Sequence, residues 1–217
     1  MVIRVLLADD HRILREGLRS LLEKEEDMEI VAETEDGRSA VESAREFTPD
    51  VVVMDIGMDN LNGIDATRQI TSICPGVKIL ALSMHRDEQF VGGMLTAGAS
   101  GYLLKDCAAE ELSLAIRAIV TGETYLSPAI SKVLVKEYVG RLSRGDLLFS
   151  SVLRGKEREI LQLLAEGKTS RQIASCLGIS ARTVEAHRRD IKRKLDIHTT
   201  AGLTKYAMRK GITSVES

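Results

Sequence analysis

The feature that most constrains this chain is a rhythm. Over residues 1–122, short β-branched or apolar runs alternate with segments of helical spacing. The runs are Ile3–Ala8, Glu29–Ala32, Val51–Met54, Lys78–Leu82 and Gly101–Leu104. The first helical segment carries Ile13, Leu14, Leu18, Leu21 and Leu22, and others fall at about 38–47, 64–73, 87–97 and 109–121. Five strands alternating with helices predict parallel βαβ units. Val51-Val-Val-Met54 is apolar throughout, as a central strand covered on both faces must be. The expected fold is an α/β doubly wound sheet of five parallel strands, with its functional crevice at the carboxyl ends of the strands.

The rhythm breaks after residue 122. Residues 123–150 are expected as a linker. Pro128 opens a short helix there through Tyr138, and the polar stretch holding Gly140, Ser143, Arg144, Gly145 and Asp146 follows it. Residues 151–217 are helical in period and are expected as a small all-α domain of four helices. Leu153–Glu166 stops at Gly167. Thr169 with Gln172 resembles a capping box and opens a second helix that ends at Gly178. Ser180 is placed to cap a third helix, 181–195. The fourth runs from about Thr200 to Lys210.

Charge separates the same regions. The whole chain carries a formal −2, but residues 1–122 carry −10 and residues 151–217 carry +7. A basic module of that size is suited to a polyanion. No apolar run approaches the roughly 18 residues of a membrane span, so no membrane partner is expected. The three cysteines, Cys74, Cys107 and Cys176, are scattered and odd in number. They argue against a disulfide scaffold or a zinc knuckle and for reduced, buried thiols in a cytoplasmic protein. With no Trp and seven Phe or Tyr, the chain has few platforms for stacking single-stranded bases.

Chemistry-bearing residues gather where the crevice should lie. Asp9 and Asp10 follow the first strand and Asp55 ends the third. In a doubly wound sheet these strands are neighbours, so the carboxylates converge. Three packed acids repel, and a hard divalent cation such as Mg²⁺ relieves that repulsion. A carboxylate can also act as a nucleophile and form an aspartyl phosphate. The fourth strand ends at the Ser83 hydroxyl and the fifth at the Lys105 ammonium, both suited to a phosphoryl group. Taken singly, Asp9 or Asp10 reads as a helix cap, Asp55 as a loop acid and Lys105 as a surface residue. Together, five strand ends agree in order and spacing. His11 beside Asp10 reads as a helix-start surface residue, although it too could bind a metal. No G-x-G-x-x-G loop appears.

Asp9-Asp10-His11, Val51-Val-Val-Met-Asp55, Ser83 and Gly101-Tyr-Leu-Leu-Lys105 together resemble the response-regulator receiver family, over residues 2 to about 121. The resemblance implies that Asp55 is the phosphoacceptor. Asp9, Asp10, Asp55 and the Gly57 carbonyl would hold Mg²⁺. Ser83 and Lys105 would contact the phosphoryl group, and Tyr102 would be the switch aromatic that turns inward. The family usually has a Met-Pro pair where this chain has Met58-Asp59, placing an extra carboxylate near the site.

The third helix of the basic half has two faces. Val184, Arg188, Ile191 and Leu195 form a packing stripe, beside which His187 is read as structural. Arg182, Glu185, Ala186, Arg189 and Arg193 form a polar, mostly cationic face. With the short helix before it and the Leu177-Gly-Ile-Ser180 turn, this is helix-turn-helix geometry, in which the second helix enters the major groove. Taken alone, a basic helix is usually just solvated. The surrounding words, Glu157-Arg-Glu-Ile-Leu161, Ala165-Glu-Gly167, Gln172-Ile-Ala174, Thr183-Val-Glu-Ala-His187 and Lys194-Leu195, resemble the LuxR-type helix-turn-helix family over about 152–211. That resemblance implies base-edge contacts from Glu185, Ala186 and Arg189, phosphate contacts from Arg182, Thr183, Lys192 and Arg193, and a dimer contact through the helix from about Thr200 to Lys210. The family commonly opens with Leu-Thr-Pro-Arg-Glu. Here Leu153-Arg-Gly-Lys-Glu157 lacks the threonine cap, leaving Ser150 or Ser151 to substitute or the first turn to fray.

Both resemblances together are those of a two-component response regulator of the NarL/FixJ type. They imply a cytoplasmic transcriptional regulator rather than an enzyme. A sensor histidine kinase phosphorylates Asp55, the receiver shifts, and the helix-turn-helix is freed to bind double-stranded DNA as a homodimer, with RNA polymerase a further partner. A phosphatase with an aspartyl nucleophile is disfavoured, because Gly57 stands where a general acid would be needed. A vestigial receiver is disfavoured by the intact Asp55, Ser83 and Lys105.

Overall fold

The structure, a computed structural model, describes residues 2–144 and 153–213. The chain divides into two compact units, Met1–Gly145 and Asp146–Ser217.

The first unit is a parallel sheet wound with helices on both faces. Its elements are β1 (Ile3–Ala8), α1 (Arg12–Leu22), β2 (Met28–Thr34), α2 (Gly37–Phe47), β3 (Val51–Asp55), α3 (Gly63–Ile73), β4 (Lys78–Ser83), α4 (Glu88–Ala97), β5 (Gly101–Leu104), α5 (Ala108–Val120), β6 (Tyr125–Leu126) and α6 (Pro128–Arg144). The strand order is β2-β1-β3-β4-β5-β6, every pairing parallel.

Side-chain alternation along each strand sorts the apolar residues into two layers. Leu6, Val52, Met54, Ile79, Ala81 and Tyr102 face one core, closed by α2, α3, α4 and Ile130 of α6. Val5, Leu7, Val51, Val53, Leu80, Leu82 and Leu103 face the other, closed by α1 and α5. Two covered faces explain why β3 is buried at all five positions.

The sheet has six strands where five were expected. Gly122, with φ 92°, turns the chain back after α5. Tyr125 and Leu126 then pair with Gly101 and Tyr102. A two-residue strand is too short to show a period in sequence. Pro128 does open a helix, but α6 runs to Arg144 rather than stopping at Tyr138. It packs Ile130, fully buried, onto the first core, so this part of 123–150 is built into the sheet unit. Gly145, Asp146, Ser150 and Ser151 lie outside the described residues.

The second unit contains α7 (Gly155–Ala165), α8 (Ser170–Leu177), α9 (Ala181–Leu195) and α10 (Thr200–Arg209). Its core joins Leu153, Ile160, Leu161, Leu163, Leu164, Ile173, Val184, Ile191, Leu203, Ala207 and Ile212. Thr169 and Gln172 cap α8 reciprocally, with Thr169 N donating to Gln172 Oε1 at 2.8 Å. Gly178 closes α8 with φ 62°, a left-handed conformation that glycine adopts without a Cβ penalty. Thr183 N donates to Ser180 Oγ at 3.1 Å to start α9.

The missing threonine at the head of α7 is compensated locally. Arg154 occupies the cap position and has no side-chain acceptor. Glu157 instead reaches back, and its carboxylate accepts from Arg154 N at 2.9 Å. Lys194 Nζ of α9 lies 2.7 Å from both Glu157 oxygens. Among the described residues no helix is long and apolar enough to cross a membrane.

Candidate functional site

At the carboxyl ends of β1, β3 and β5 the acids and the lysine converge. Asp9 and Asp55 are buried at 2% and 4% exposure, because β1 and β3 are central, adjacent strands. Lys105 Nζ stands 2.9 Å from Asp9 Oδ2 and 2.8 Å from Asp55 Oδ2. Ile56 N donates to Asp55 Oδ1 at 2.7 Å, with Gly57 N further off at 3.4 Å. Asp10 is partly exposed, and its Oδ1 lies 2.7 Å from His11 Nδ1. His11 caps α1 by position without a side-chain cap bond, and its backbone N–H donates to Asp9 Oδ1 at 2.8 Å.

Burial raises the Asp55 carboxyl above the ordinary carboxylate range, and the charges of Asp9 and Asp10 add to the rise against the pull of Lys105. Burial alone would lower the Lys105 ammonium, but Asp55 and Asp9 outweigh it and hold the amine protonated above its ordinary value. One cation thus serves two buried carboxylates, with Asp10 close by. Ligand atoms of Asp9, Asp10, His11 and Asp55 all lie within 4.8 Å of one another. A set of convergent carboxylate oxygens suits a hard divalent cation.

The hydroxyl pair lies beside this cluster. Ser83, at the end of β4, is 1% exposed, and its Oγ accepts from His85 N at 3.0 Å. Tyr102 is fully buried, and its hydroxyl donates to the His85 carbonyl at 2.8 Å. The ring is therefore inside, and burial raises its phenol above the ordinary value. Met58 packs in the first core while Asp59 is exposed, followed by Asn60 at φ 65°. Asn tolerates the left-handed turn that the Met58-Asp59 loop makes without proline.

Gly63 fixes the floor of the site. A Cβ there would fall 1.9 Å from the Asp55 carbonyl oxygen, so only glycine lets α3 start this close to the end of β3.

In the second unit, α9 buries Val184 and Ile191, and Leu195 packs against the same core. Its other side exposes Arg182, Thr183, Arg189 and Arg193, with Ala186 and Lys192 half-buried. Arg193 pairs with Asp190 at 2.7 Å. Glu185 is held from within: Ser170 of α8 donates to it, and Arg188 Nη1 lies 2.9 Å away and also reaches Ser170 Oγ at 2.8 Å. The Ser170 hydrogen bond, with Arg188 and Arg189, keeps the Glu185 carboxyl below its ordinary value despite partial burial. This Ser170–Glu185–Arg188 network was missed in sequence, since the residues are polar on separate helices and no periodicity joins them. On α10, Leu203 and Ala207 turn inward.

The model of the response regulator receiver domain matches residues 5–117, and that of the luxR family of bacterial regulatory proteins matches residues 151–207. The chain is 37% identical to the transcriptional regulatory protein DegU of Brevibacillus brevis, over 98% of this chain and 96% of the relative. Among solved structures it resembles a LuxR-family two-component response regulator from Aurantimonas sp. SI85-9A1, at 40% identity and TM-score 0.62, covering 64% of this chain and 99% of the other. It also resembles RcsB in a structure of two RcsB dimers bound to two parallel DNAs, at 26% identity and TM-score 0.60, covering 97% and 99%. A receiver-type sheet with an acidic cleft, a helix-turn-helix with a basic face, and both family matches in one chain lead to one conclusion: this protein belongs to the two-component response regulators of the NarL/FixJ type, with a receiver domain and a LuxR-type DNA-binding domain.

Proposed function

We propose that this chain is a DNA-binding transcriptional regulator switched by phosphorylation of Asp55 from a partner sensor histidine kinase. The observation that carries the proposal is the single ammonium of Lys105 between two buried carboxylates, 2.9 Å from Asp9 and 2.8 Å from Asp55. A carboxylate oxygen of Asp55 attacks the phosphorus of the kinase's phosphohistidine. The new P–O bond forms as the P–N bond breaks, and the electron pair leaves with the imidazole. Lys105 then pairs with the phosphoryl oxygens, and the Ser83 hydroxyl donates to one of them. Tyr102 stays buried behind Ser83 and locks the rearranged loop.

Asp9, Asp10, Asp55 and the Gly57 carbonyl would hold Mg²⁺, which when bound offsets the charge brought together by carboxylates and phosphoryl. The receiver shift frees the helix-turn-helix to bind duplex DNA as a homodimer. Arg182, Thr183, Lys192 and Arg193 meet phosphates, and Ala186 and Arg189 face base edges. Glu185, tied to Ser170 and Arg188, accepts from a cytosine only by leaving that network. The exposed side of α10 is the dimer contact. A regulator of this kind works in the cytoplasm beside RNA polymerase.

The test is intact-mass analysis after incubation with acetyl phosphate and Mg²⁺. Wild type gains one phosphoryl group and Asp55→Ala gains none. Equal modification of both proteins overturns the assignment.

A further inference from the structure

Arg15 is buried to 7% exposure, and nothing in the proposed phosphoryl chemistry uses it. Burying a guanidinium costs several kcal/mol unless its donors are satisfied. Here the fork faces three acceptors, on the chain after β1 and at the end of β2. Nη1 donates to the Asp9 carbonyl oxygen at 2.5 Å, Nη2 donates to Glu35 Oε1 at 2.8 Å, and Nε lies 3.5 Å from Glu33 Oε2. The carbonyl it holds belongs to the peptide that joins Asp9 to Asp10. On the other side of Asp9, its N–H donates to the Thr34 carbonyl at 3.1 Å. The backbone at Asp9 is thus clamped from both sides, by β2 at the amide and by α1 at the carbonyl.

We infer that Arg15 is a positioning residue of the acidic site, which fixes the Asp9–Asp10 peptide and so sets the geometry in which the two carboxylates meet a divalent cation. The inference rests on the reading of that cluster as a cation and phosphoryl site. Its consequence is selectivity. Mg²⁺ demands near-ideal octahedral geometry, whereas Ca²⁺ accepts irregular oxygen sets. A loosened peptide therefore costs Mg²⁺ affinity first. Electrostatics alone gives the opposite sign, because deleting a cation near an acidic site tightens binding of every divalent ion.

Arg19 supplies the control. Its Nη1 also donates to Glu33, at 2.8 Å, but none of its hydrogen bonds reaches Asp9. The experiment is calorimetric titration of the full chain with Mg²⁺ and separately with Ca²⁺. For Arg15→Ala, Mg²⁺ affinity falls about tenfold, the usual loss when a group that orients a metal ligand is removed. Ca²⁺ affinity falls less than about threefold, given its looser geometry. Arg15→Lys keeps the charge but loses the fork. It falls between wild type and Arg15→Ala and serves if the alanine variant does not fold. Arg19→Ala matches wild type for both ions. Unchanged or tighter Mg²⁺ binding in both Arg15 variants overturns the inference while the cation site stands. A wild-type chain that takes up no Mg²⁺ removes the site reading and the inference with it.

Discussion

The two halves of this chain use charge in opposite ways. In the sheet unit, the buried carboxylates of Asp9 and Asp55 each lie within hydrogen-bonding distance of Lys105. In the helical unit, Arg182, Arg189 and Arg193 stand exposed along α9. Buried charges interact strongly, and each depends on the position of the others. Exposed charges are screened by salt and act nearly independently. The buried set is therefore fit for a switch, where one added phosphoryl group changes every partner. The exposed set is fit for graded attraction to a polyanion, where contacts add.

The strongest way to break this contrast is to move the floor of the acidic site. Gly63→Ala places a Cβ 1.9 Å from the Asp55 carbonyl oxygen. Overpacking against backbone costs about 3 kcal/mol. Urea unfolding followed by hydrogen exchange will show the loss in β3 and α3, with α7 to α9 keeping wild-type protection. Equal loss in both units would show that they are not energetically separate.

Next comes direct readout. Arg189→Ala costs about 2 kcal/mol of discrimination at one base position while leaving the salt dependence nearly unchanged. Selection of bound duplexes from a random pool, repeated with the variant, measures it. An unchanged base profile would remove Arg189 from the readout.

The helical unit also holds a buried carboxylate, Glu157, paired with the exposed Lys194. Glu157 is 6% exposed. Burial pushes its carboxyl up, but Lys194 and the Arg154 N–H outweigh burial and leave it below its ordinary 4.5. The stabilisation is full above pH 4.5 and is lost as the pH falls through the lowered native value. Lys194→Ala should destabilise the helical unit by about 1.5 kcal/mol at neutral pH. The gap from wild type should close on acidification below that range, as read from thermal unfolding at a series of pH values. A gap that stays constant with pH would assign the effect to packing of the lysine stem.

The smallest effect is expected from Arg193→Ala. It removes a single phosphate contact and lowers the slope of log affinity against log salt by about 1, equally for all duplexes. Sequence-dependent loss would move Arg193 to the base-reading face.

Much of this was legible in residues alone. The strand runs, the carboxylates at strand ends, Ser83, Lys105 and the two faces of α9 all follow from short apolar runs, the 3.6-residue period and local turns. What was missed has a common cause. β6 is two residues long and forms only because β5 offers a free edge. α6 is anchored on the first core by Ala129, Ile130 and Leu134 near its start, a contact with β-sheet residues far away in sequence. Glu157 compensates for the absent threonine cap from three residues on, with a lysine of another helix behind it.

The amino-acid sequence by itself determined the order of elements, which side of each element is apolar, and which chemical groups sit at the strand ends, because these depend on neighbours along the chain. The tertiary structure decided which of those groups share a proton or a cation. Arg15 reaching the Asp9 carbonyl, Ser170 holding Glu185 and Gly63 lying against Asp55 each join residues from different elements. Such contacts require distances of about 3 Å, and no spacing in sequence encodes a distance between separate elements until the core has packed them together.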